Sequence, residues 1–163
     1  MAFQYGCLGE ALSERLKGVS PDCTVFVGVG NRMRGDDAIG PVLIDLLSPH
    51  MPHVLDVSNV PENFTGMIKR LNPSKIVFID AVQFGDCPAG YARIVEMSEA
   101  GGYGLTTHKF SLDMIMEYLK EETGADVFMI GVQPESIRDT EGLSPGMGDR
   151  LAALRSVIVD AFS

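Results

Sequence analysis

The sequence contains no long apolar segment and no targeting signal. No run of apolar residues approaches the roughly 18 that a membrane-spanning helix needs, so we predict no transmembrane segment. The N-terminus lacks a basic segment followed by an apolar one, which is the pattern of a secretory signal. We therefore expect a cytoplasmic protein that does not insert into membranes.

Basic residues and cysteines are also scarce. Lys and Arg number 13 against 22 Asp and Glu, which gives a formal net charge of −9. Nucleic-acid sites need clustered basic side chains, so this composition argues against a nucleic-acid partner. The three cysteines form no CxxC pair, and we expect free thiols, with Cys23 at the start of a buried strand. The motifs of zincin proteases and of serine hydrolases, HExxH and GxSxG, are absent.

The apolar pattern predicts an α/β protein. A chain of 163 residues favours one domain, 1–163, in which residues 1–22 form a helical extension. Five strands are predicted, of which the fourth lies antiparallel at an edge: 24–29, 53–57, 75–80, 91–97 and 126–132. Helices are predicted before, between and after them, at 8–16, 39–47, 61–71, 111–120 and 150–162. This alternation indicates a three-layer, doubly wound, mostly parallel twisted sheet with helices on both faces.

The stretch from 23 to 47 (CTVFVGVGNRMRGDDAIGPVLIDLL) reads as a strand, a glycine turn and the start of a helix. Two adjacent acids, Asp36 and Asp37, precede the helix. In open α/β sheets, ligands bind beyond the carboxyl ends of the strands, where the winding direction reverses. Asp37 follows the first strand, and Asp80 ends the strand at 75–80. If these strands are neighbours in a 2-1-3 order, both acids lie at that crevice.

His108 lies in the loop before the helix at 111–120 and is placed to reach the same crevice. Two carboxylates and an imidazole suit a divalent metal such as Zn²⁺ or Ni²⁺. Each residue also has a structural interpretation. Asp36 or Asp37 is expected to cap the helix. Asp80 is equally explained as a strand-end acid that accepts turn hydrogen bonds, and His108 as a surface residue at a helix entry.

The glycine turn also suggests a dinucleotide-binding loop, G-x-G-x-x-G. Here Gly28 and Gly30 are followed by Gly35, which is two residues too late for that motif. Two acids at the helix start also oppose phosphate binding. Nucleotide binding is therefore a weaker alternative, beside that of a non-catalytic metal-binding module.

Several segments resemble the hydrogenase maturation endopeptidases, which trim the C-terminus of the large subunit of nickel–iron (NiFe) hydrogenases. They occur in order along the chain: Gly28-Val29-Gly30-Asn31 with Gly35-Asp36-Asp37-Ala38-Ile39-Gly40, Ile79-Asp80-Ala81-Val82, Thr107-His108-Lys109 and Ile130-Gly131-Val132-Gln133-Pro134-Glu135. The resemblance runs from about residue 24 to residue 161. It implies the same fold class and an endopeptidase activity.

The resemblance also implies the site residues and the partner. By motif position, the residues that contact the metal are Asp37, Asp80 and His108. The implied substrate is a large-subunit precursor that already carries nickel, so the site need hold no metal until the precursor binds. Two roles for the metal stay open, namely recognition alone and Lewis-acid activation of the peptide bond or of water. A third alternative makes Asp36 a general base.

Overall fold

The structure is a computed structural model and describes residues 5–100 and 111–163. Its strands are β1 (Thr24–Val29), β2 (Val54–Ser58), β3 (Lys75–Ala81), β4 (Ala92–Val95) and β5 (Asp126–Val132). Its α-helices are α1 (Gly6–Arg15), α2 (Ile39–Leu47), α3 (Thr65–Arg70), α4 (Met97–Ala100), α5 (Leu112–Thr123) and α6 (Met147–Asp160). Three 3-10 turns cover Pro21–Cys23, Gly35–Ala38 and Pro61–Phe64.

The strands form one sheet in the order β2-β1-β3-β5-β4. β1 pairs in parallel with β2 and β3, and β3 pairs in parallel with β5. β4 runs antiparallel to β5 at the edge. The predicted α/β class, the 2-1-3 strand order and the antiparallel edge strand are therefore confirmed.

Helices cover both faces of the sheet, because β1, β3 and β5 are buried almost throughout and need apolar partners on each side. On one face, α1, α2 and α6 pack against a cluster that includes Phe26, Val77 and Phe128. On the other face, α3, α4 and α5 pack against Val27, Phe78 and their neighbours. This arrangement is the predicted three-layer architecture.

α2 lies unusually close to the carboxyl ends of β1 and β3, and two glycines permit this approach. Gly40, in the first turn of α2, sits so near the sheet that a Cβ atom there would lie 2.7 Å from the carbonyl oxygen of Ile79. Gly30 adopts φ of 146°, a conformation that favours glycine, and a Cβ atom there would collide with the carbonyl oxygen of Asp37. The glycine turn therefore brings the end of β1 directly against Asp37.

The N-terminal helix is part of the packed structure. Leu8, Leu12 and Leu16 are buried along one face, as their spacing predicts, and they join the cluster beneath α2 and α6. The guanidinium of Arg15 forms two hydrogen bonds, of 2.6 and 2.8 Å, with the carboxylate of Asp126 at the start of β5. α1 is thereby fixed to the body of the domain.

Several local expectations need correction. Cys23 is exposed in a 3-10 turn and does not begin the buried strand. The predicted strand at 91–97 is shorter, because α4 begins at Met97. The helix predicted at 61–71 opens as a 3-10 turn, in which Pro61 supplies a fixed φ at the start. The three cysteines are free thiols, as expected. Among the described residues, no helix is long and apolar enough to cross a membrane.

Candidate active site

Asp37 lies at the carboxyl end of β1, in the 3-10 turn that precedes α2. Its side chain is fully buried, and Oδ2 accepts a hydrogen bond of 2.9 Å from the backbone N–H of Asn31. Asn31 immediately follows the glycine turn, so this bond holds the carboxylate against the end of the strand. The same N–H group would be needed to bind a phosphate at this turn, and a carboxylate already takes it. This geometry argues further against the nucleotide alternative.

Asp80 is the penultimate residue of β3, the strand next to β1. Its neighbours Ile79 and Ala81 face the layer of α1, α2 and α6, so alternation along the strand turns Asp80 toward the layer of α3, α4 and α5. The residue is only 4% exposed. Its Oδ1 atom is buried and receives no hydrogen bond from any residue in the described part of the chain.

The two carboxyl groups interact electrostatically. Burial raises the pKa of Asp80 well above its usual range, and the nearby charge of Asp37 raises it further, whereas the backbone N–H of Ala81 acts in the opposite direction. Two like charges in a poorly solvated place are costly, and a cation bound between them would favour the ionised forms. The pair therefore has the chemistry of a cation site made of oxygen ligands.

The third predicted residue, His108, lies outside the described residues. The segment that contains it joins α4, which ends at Ala100, to α5, which begins at Leu112. Both helices cover the face of the sheet toward which Asp80 points. Among residues 5–100 and 111–163, no three His, Cys, Asp or Glu side chains are placed to hold a metal ion. The assignment of His108 stays a prediction.

Asp36 has a different role from either one expected for it. It is fully buried, and its carboxylate caps no helix. Oδ2 accepts hydrogen bonds from the backbone N–H groups of Glu135 (2.8 Å) and Ser136 (3.1 Å), and Oδ1 accepts one from Ser144 (2.8 Å). Both oxygens thus hold the loop between β5 and α6, and the carboxylate has no exposed surface, which argues against a role as general base.

A buried amide that sequence reasoning missed supports the loop after Asp80. The Gln133 side chain accepts a hydrogen bond of 2.8 Å from the backbone N–H of Phe84. Its amide nitrogen donates to the side-chain oxygen of Gln83 and to the carbonyl oxygen of Pro134. Gln133 therefore joins the segment that leaves β3 to the segment that leaves β5. The motif Gln133-Pro134 was visible in the sequence, but its partners lie about 50 positions away.

The two remaining histidines, His50 and His53, lie in the segment between α2 and β2, away from Asp37 and Asp80 in the sequence. His50 is exposed beyond the end of α2, and His53 is partly buried just before β2. The sequence places both near a helix end, where a structural or exposed role is expected, and their positions agree with that interpretation.

Known proteins resemble this chain along most of its length. The family model for hydrogenase maturation proteases matches residues 47–161, which include positions 80 and 108 but not position 37. The hydrogenase 3 maturation protease of Escherichia coli is 33% identical over 117 residues, or 69% of this chain and 74% of that protein. A putative hydrogenase maturation protease of Methanocaldococcus jannaschii is 29% identical over 139 residues, or 78% of this chain and 80% of that protein.

Solved structures agree. The crystal structure of a NiFe hydrogenase maturation protease from Thermococcus kodakarensis superposes with a TM-score of 0.82 at 31% identity, covering 93% of this chain and 98% of that one. A crystal structure of a hydrogenase 3 maturation protease gives a TM-score of 0.72 at 28% identity, covering 82% and 86%. The family match, the identity and the shared fold together show that this chain belongs to the hydrogenase maturation proteases, a family of peptidases.

Proposed function

We propose that this protein removes the C-terminal extension of a NiFe hydrogenase large-subunit precursor, and that Asp37, Asp80 and His108 bind the nickel that the precursor carries. The observation that carries the metal part of this proposal is the carboxyl pair. Asp37 lies in the turn that follows β1, and Asp80 lies near the end of the adjacent strand β3. Both are buried, and the charge of Asp37 makes ionisation of Asp80 more costly. A cation delivered by the substrate would remove that cost.

The oxygen of Asp80 that lacks a donor supports the fit to a metal. A buried carboxylate oxygen normally accepts at least one hydrogen bond, and its absence in the described part of the chain leaves room for a metal–oxygen bond. Imidazole from His108 would add a nitrogen ligand, and such mixed sets suit Ni²⁺ and Zn²⁺. Nickel is part of the substrate here, so cleavage would depend on whether the precursor has received it.

Two roles are open to the nickel during cleavage of the precursor. In one, nickel only positions the precursor so that the scissile bond lies in the site; in the other, it also polarises the scissile carbonyl or lowers the pKa of bound water. The general-base role for Asp36 is not retained, because three backbone N–H groups occupy its carboxylate. Asp36 instead holds the loop that borders the site.

The test mixes the protein with nickel-loaded and nickel-free precursors from its source organism and weighs the products by mass spectrometry. We expect the loaded form to lose its C-terminal extension and the nickel-free form to stay intact. Asp37→Asn, Asp80→Asn and His108→Ala should each reduce the rate at least 100-fold. Asp160→Asn and His50→Ala serve as matched controls. They change exposed residues at the end of α6 and beyond the end of α2, not at the carboxyl ends of β1 and β3.

Two results would contradict the proposal separately. If no loaded precursor is shortened, the assignment of the substrate is wrong. If loaded and nickel-free precursors are cut at equal rates, the substrate stands and nickel recognition is wrong.

A further inference from the structure

A surface pocket of about 310 Å³ lies between the 3-10 turn Pro61–Phe64 and α5, outside the residues discussed so far. Its walls combine a carboxylate, a hydroxyl and apolar side chains: Glu62, Thr65, Met114, Ile115 and Tyr118. The pocket is large enough for one long side chain of another protein.

Glu62 supplies the one charged group of this lining. Its Oε2 atom is buried and has no hydrogen-bond donor among residues 5–100 and 111–163. Lys69, the basic residue beside Tyr118, does not neutralise it. Its ammonium group contacts the Tyr118 hydroxyl (2.7 Å) and the Glu122 carboxylate (3.4 Å). A buried carboxylate oxygen without a donor is costly, and a bound cation with N–H groups would satisfy it.

The apolar part of the pocket limits what that cation can be. Met114 is 57% exposed and Tyr118 is 42% exposed, so both present apolar surface to a partner. A small hydrated ion would gain nothing from these walls. The side chains of Lys and Arg have an aliphatic stem and a cationic end, and they match both parts of the lining.

The pocket also lies on the side of the molecule that a substrate must reach. The turn Pro61–Phe64 follows the carboxyl end of β2, and α5 begins directly after the segment that contains His108. Asp80 points toward the same helix layer. A protein bound at Asp37 and Asp80 would therefore approach the side of the molecule on which this pocket lies.

From these observations we infer that the pocket around Glu62 is a subsite for a Lys or Arg side chain of the protein substrate. The inference rests on the proposed function, because it takes the occupant from the precursor. The basic end would bond to the Glu62 carboxylate, and its stem would pack on Met114, Ile115 and Tyr118. A basic residue fits the net charge of −9, which favours approach by positive surface.

The test compares Glu62→Gln with Glu121→Gln, a change that removes the same charge from an exposed position on α5. On nickel-loaded precursor, we expect Glu62→Gln to lower kcat/KM about 10- to 100-fold, mainly through KM, because a charge-assisted hydrogen bond is lost. Glu121→Gln should leave it unchanged. Neither variant should unfold at a lower temperature than the wild type, which separates a loss of binding from a loss of folding.

The reciprocal test changes the precursor. Each Lys and Arg near its C-terminus is replaced by Met, which keeps a long apolar side chain without the charge. With the wild-type protein, one of these replacements should lower kcat/KM by the same factor as Glu62→Gln does with the unaltered precursor. With the Glu62→Gln variant, that replacement should cause no further loss of kcat/KM. The subsite is refuted if no replacement does so, or if Glu62→Gln cuts as well as Glu121→Gln.

Failure of the proposed function would look different. If the wild type leaves the loaded precursor uncut, the proteolytic assignment fails, and the subsite is judged by precursor binding measured calorimetrically. Equal affinity of Glu62→Gln and Glu121→Gln for the uncut precursor would overturn the subsite.

Discussion

The backbone N–H of Ser144 donates to Oδ1 of Asp36 across 2.8 Å, although the two residues are 108 positions apart in the chain. With the bonds from Glu135 and Ser136 to Oδ2, it makes one carboxylate the acceptor for three backbone groups of the β5–α6 loop. Asp37, the next residue, belongs to the candidate metal site. Under the proposed function, the two adjacent acids have separate roles: Asp36 holds the loop, and Asp37 binds the metal.

Replacing Asp36 should loosen this loop. We expect Asp36→Ala to lower the free energy of unfolding by about 3–5 kcal/mol, because three hydrogen bonds to a fully buried carboxylate are lost. Hydrogen exchange should accelerate at Glu135, Ser136 and Ser144. The control is Glu141→Ala, which removes an exposed carboxylate from the same loop. Unchanged exchange at all three amides in Asp36→Ala would contradict the assigned role.

Replacing Asp80 should stabilise the protein while it abolishes activity. The pKa of Asp80 is raised on folding, so the folded state binds a proton more tightly than the unfolded chain. The ionised group therefore destabilises the fold at pH values above the ordinary Asp pKa. We expect Asp80→Asn to raise the free energy of unfolding at pH 8 by about 1 kcal/mol, the gain typical of relaxing a functional site.

The pH dependence of stability tests whether ionised Asp80 destabilises the fold. As the pH falls toward 4, wild-type Asp80 takes up its proton, and the stability difference between wild type and Asp80→Asn should vanish. Thermal unfolding between pH 4 and 8 measures this. A variant that is less stable than the wild type at pH 8 would show that the ionised Asp80 is favourably bound in the free protein.

Ionised Asp126, unlike ionised Asp80, should stabilise the folded protein. Hydrogen bonds from the Arg15 guanidinium, assisted by the Lys75 ammonium group and opposed by partial burial, lower the pKa of Asp126 to about 2. Its stabilising contribution is complete above the ordinary pKa of 3.8 and is lost as the pH falls toward 2. We expect Asp126→Asn to cost about 1 kcal/mol at pH 6, after allowance for solvent screening, and almost nothing at pH 2.

Urea unfolding at the two pH values tests this expectation. Asp160→Asn is the matched control, since its carboxylate is exposed at the end of α6. An equal loss of stability in Asp126→Asn at pH 6 and pH 2 would mean that packing, not charge, accounts for the effect.

The close approach of α2 to the sheet predicts strong intolerance at Gly40. In Gly40→Ala the new Cβ would lie 2.7 Å from the Ile79 carbonyl oxygen, so α2 must move away. We expect a loss of about 3 kcal/mol in the free energy of unfolding. Gly148→Ala is the control, because that glycine lies in α6 with no atom within 4 Å of the added Cβ, and should gain about 0.5–1 kcal/mol. Chemical denaturation of both variants measures the predicted loss of stability in Gly40→Ala and the predicted gain in Gly148→Ala.

Long apolar runs made the central strands predictable from sequence. β1, β3 and β5 appear within one residue of their expected limits, because strands buried on both faces leave an unbroken apolar signal. The 3-10 turns and the four-residue helix α4 were missed, since one helical turn has too few residues to show a period.

The candidate site also contains residues that could be predicted from the sequence and contacts that could not. Asp37 and Asp80 were selected because strand order alone places strand ends together, and the structure shows their charges interacting. The true partners of Asp36 and of Gln133 were not predictable, because each lies about 50 to 100 positions away and leaves no local pattern. Local sequence favours a helix cap for Asp36, and the tertiary contacts override it.

The fastening of the β5–α6 loop by Asp36 also sets an order for biosynthesis. The turn at 35–38 is translated about 100 residues before the backbone groups that satisfy Asp36, which belong to residues 135–144. Such distant contacts form slowly, because long loops must close first. The nascent chain therefore cannot complete the surroundings of Asp37 until residues 135–144 have been made, so any activity that needs Asp37 in these surroundings must follow their synthesis.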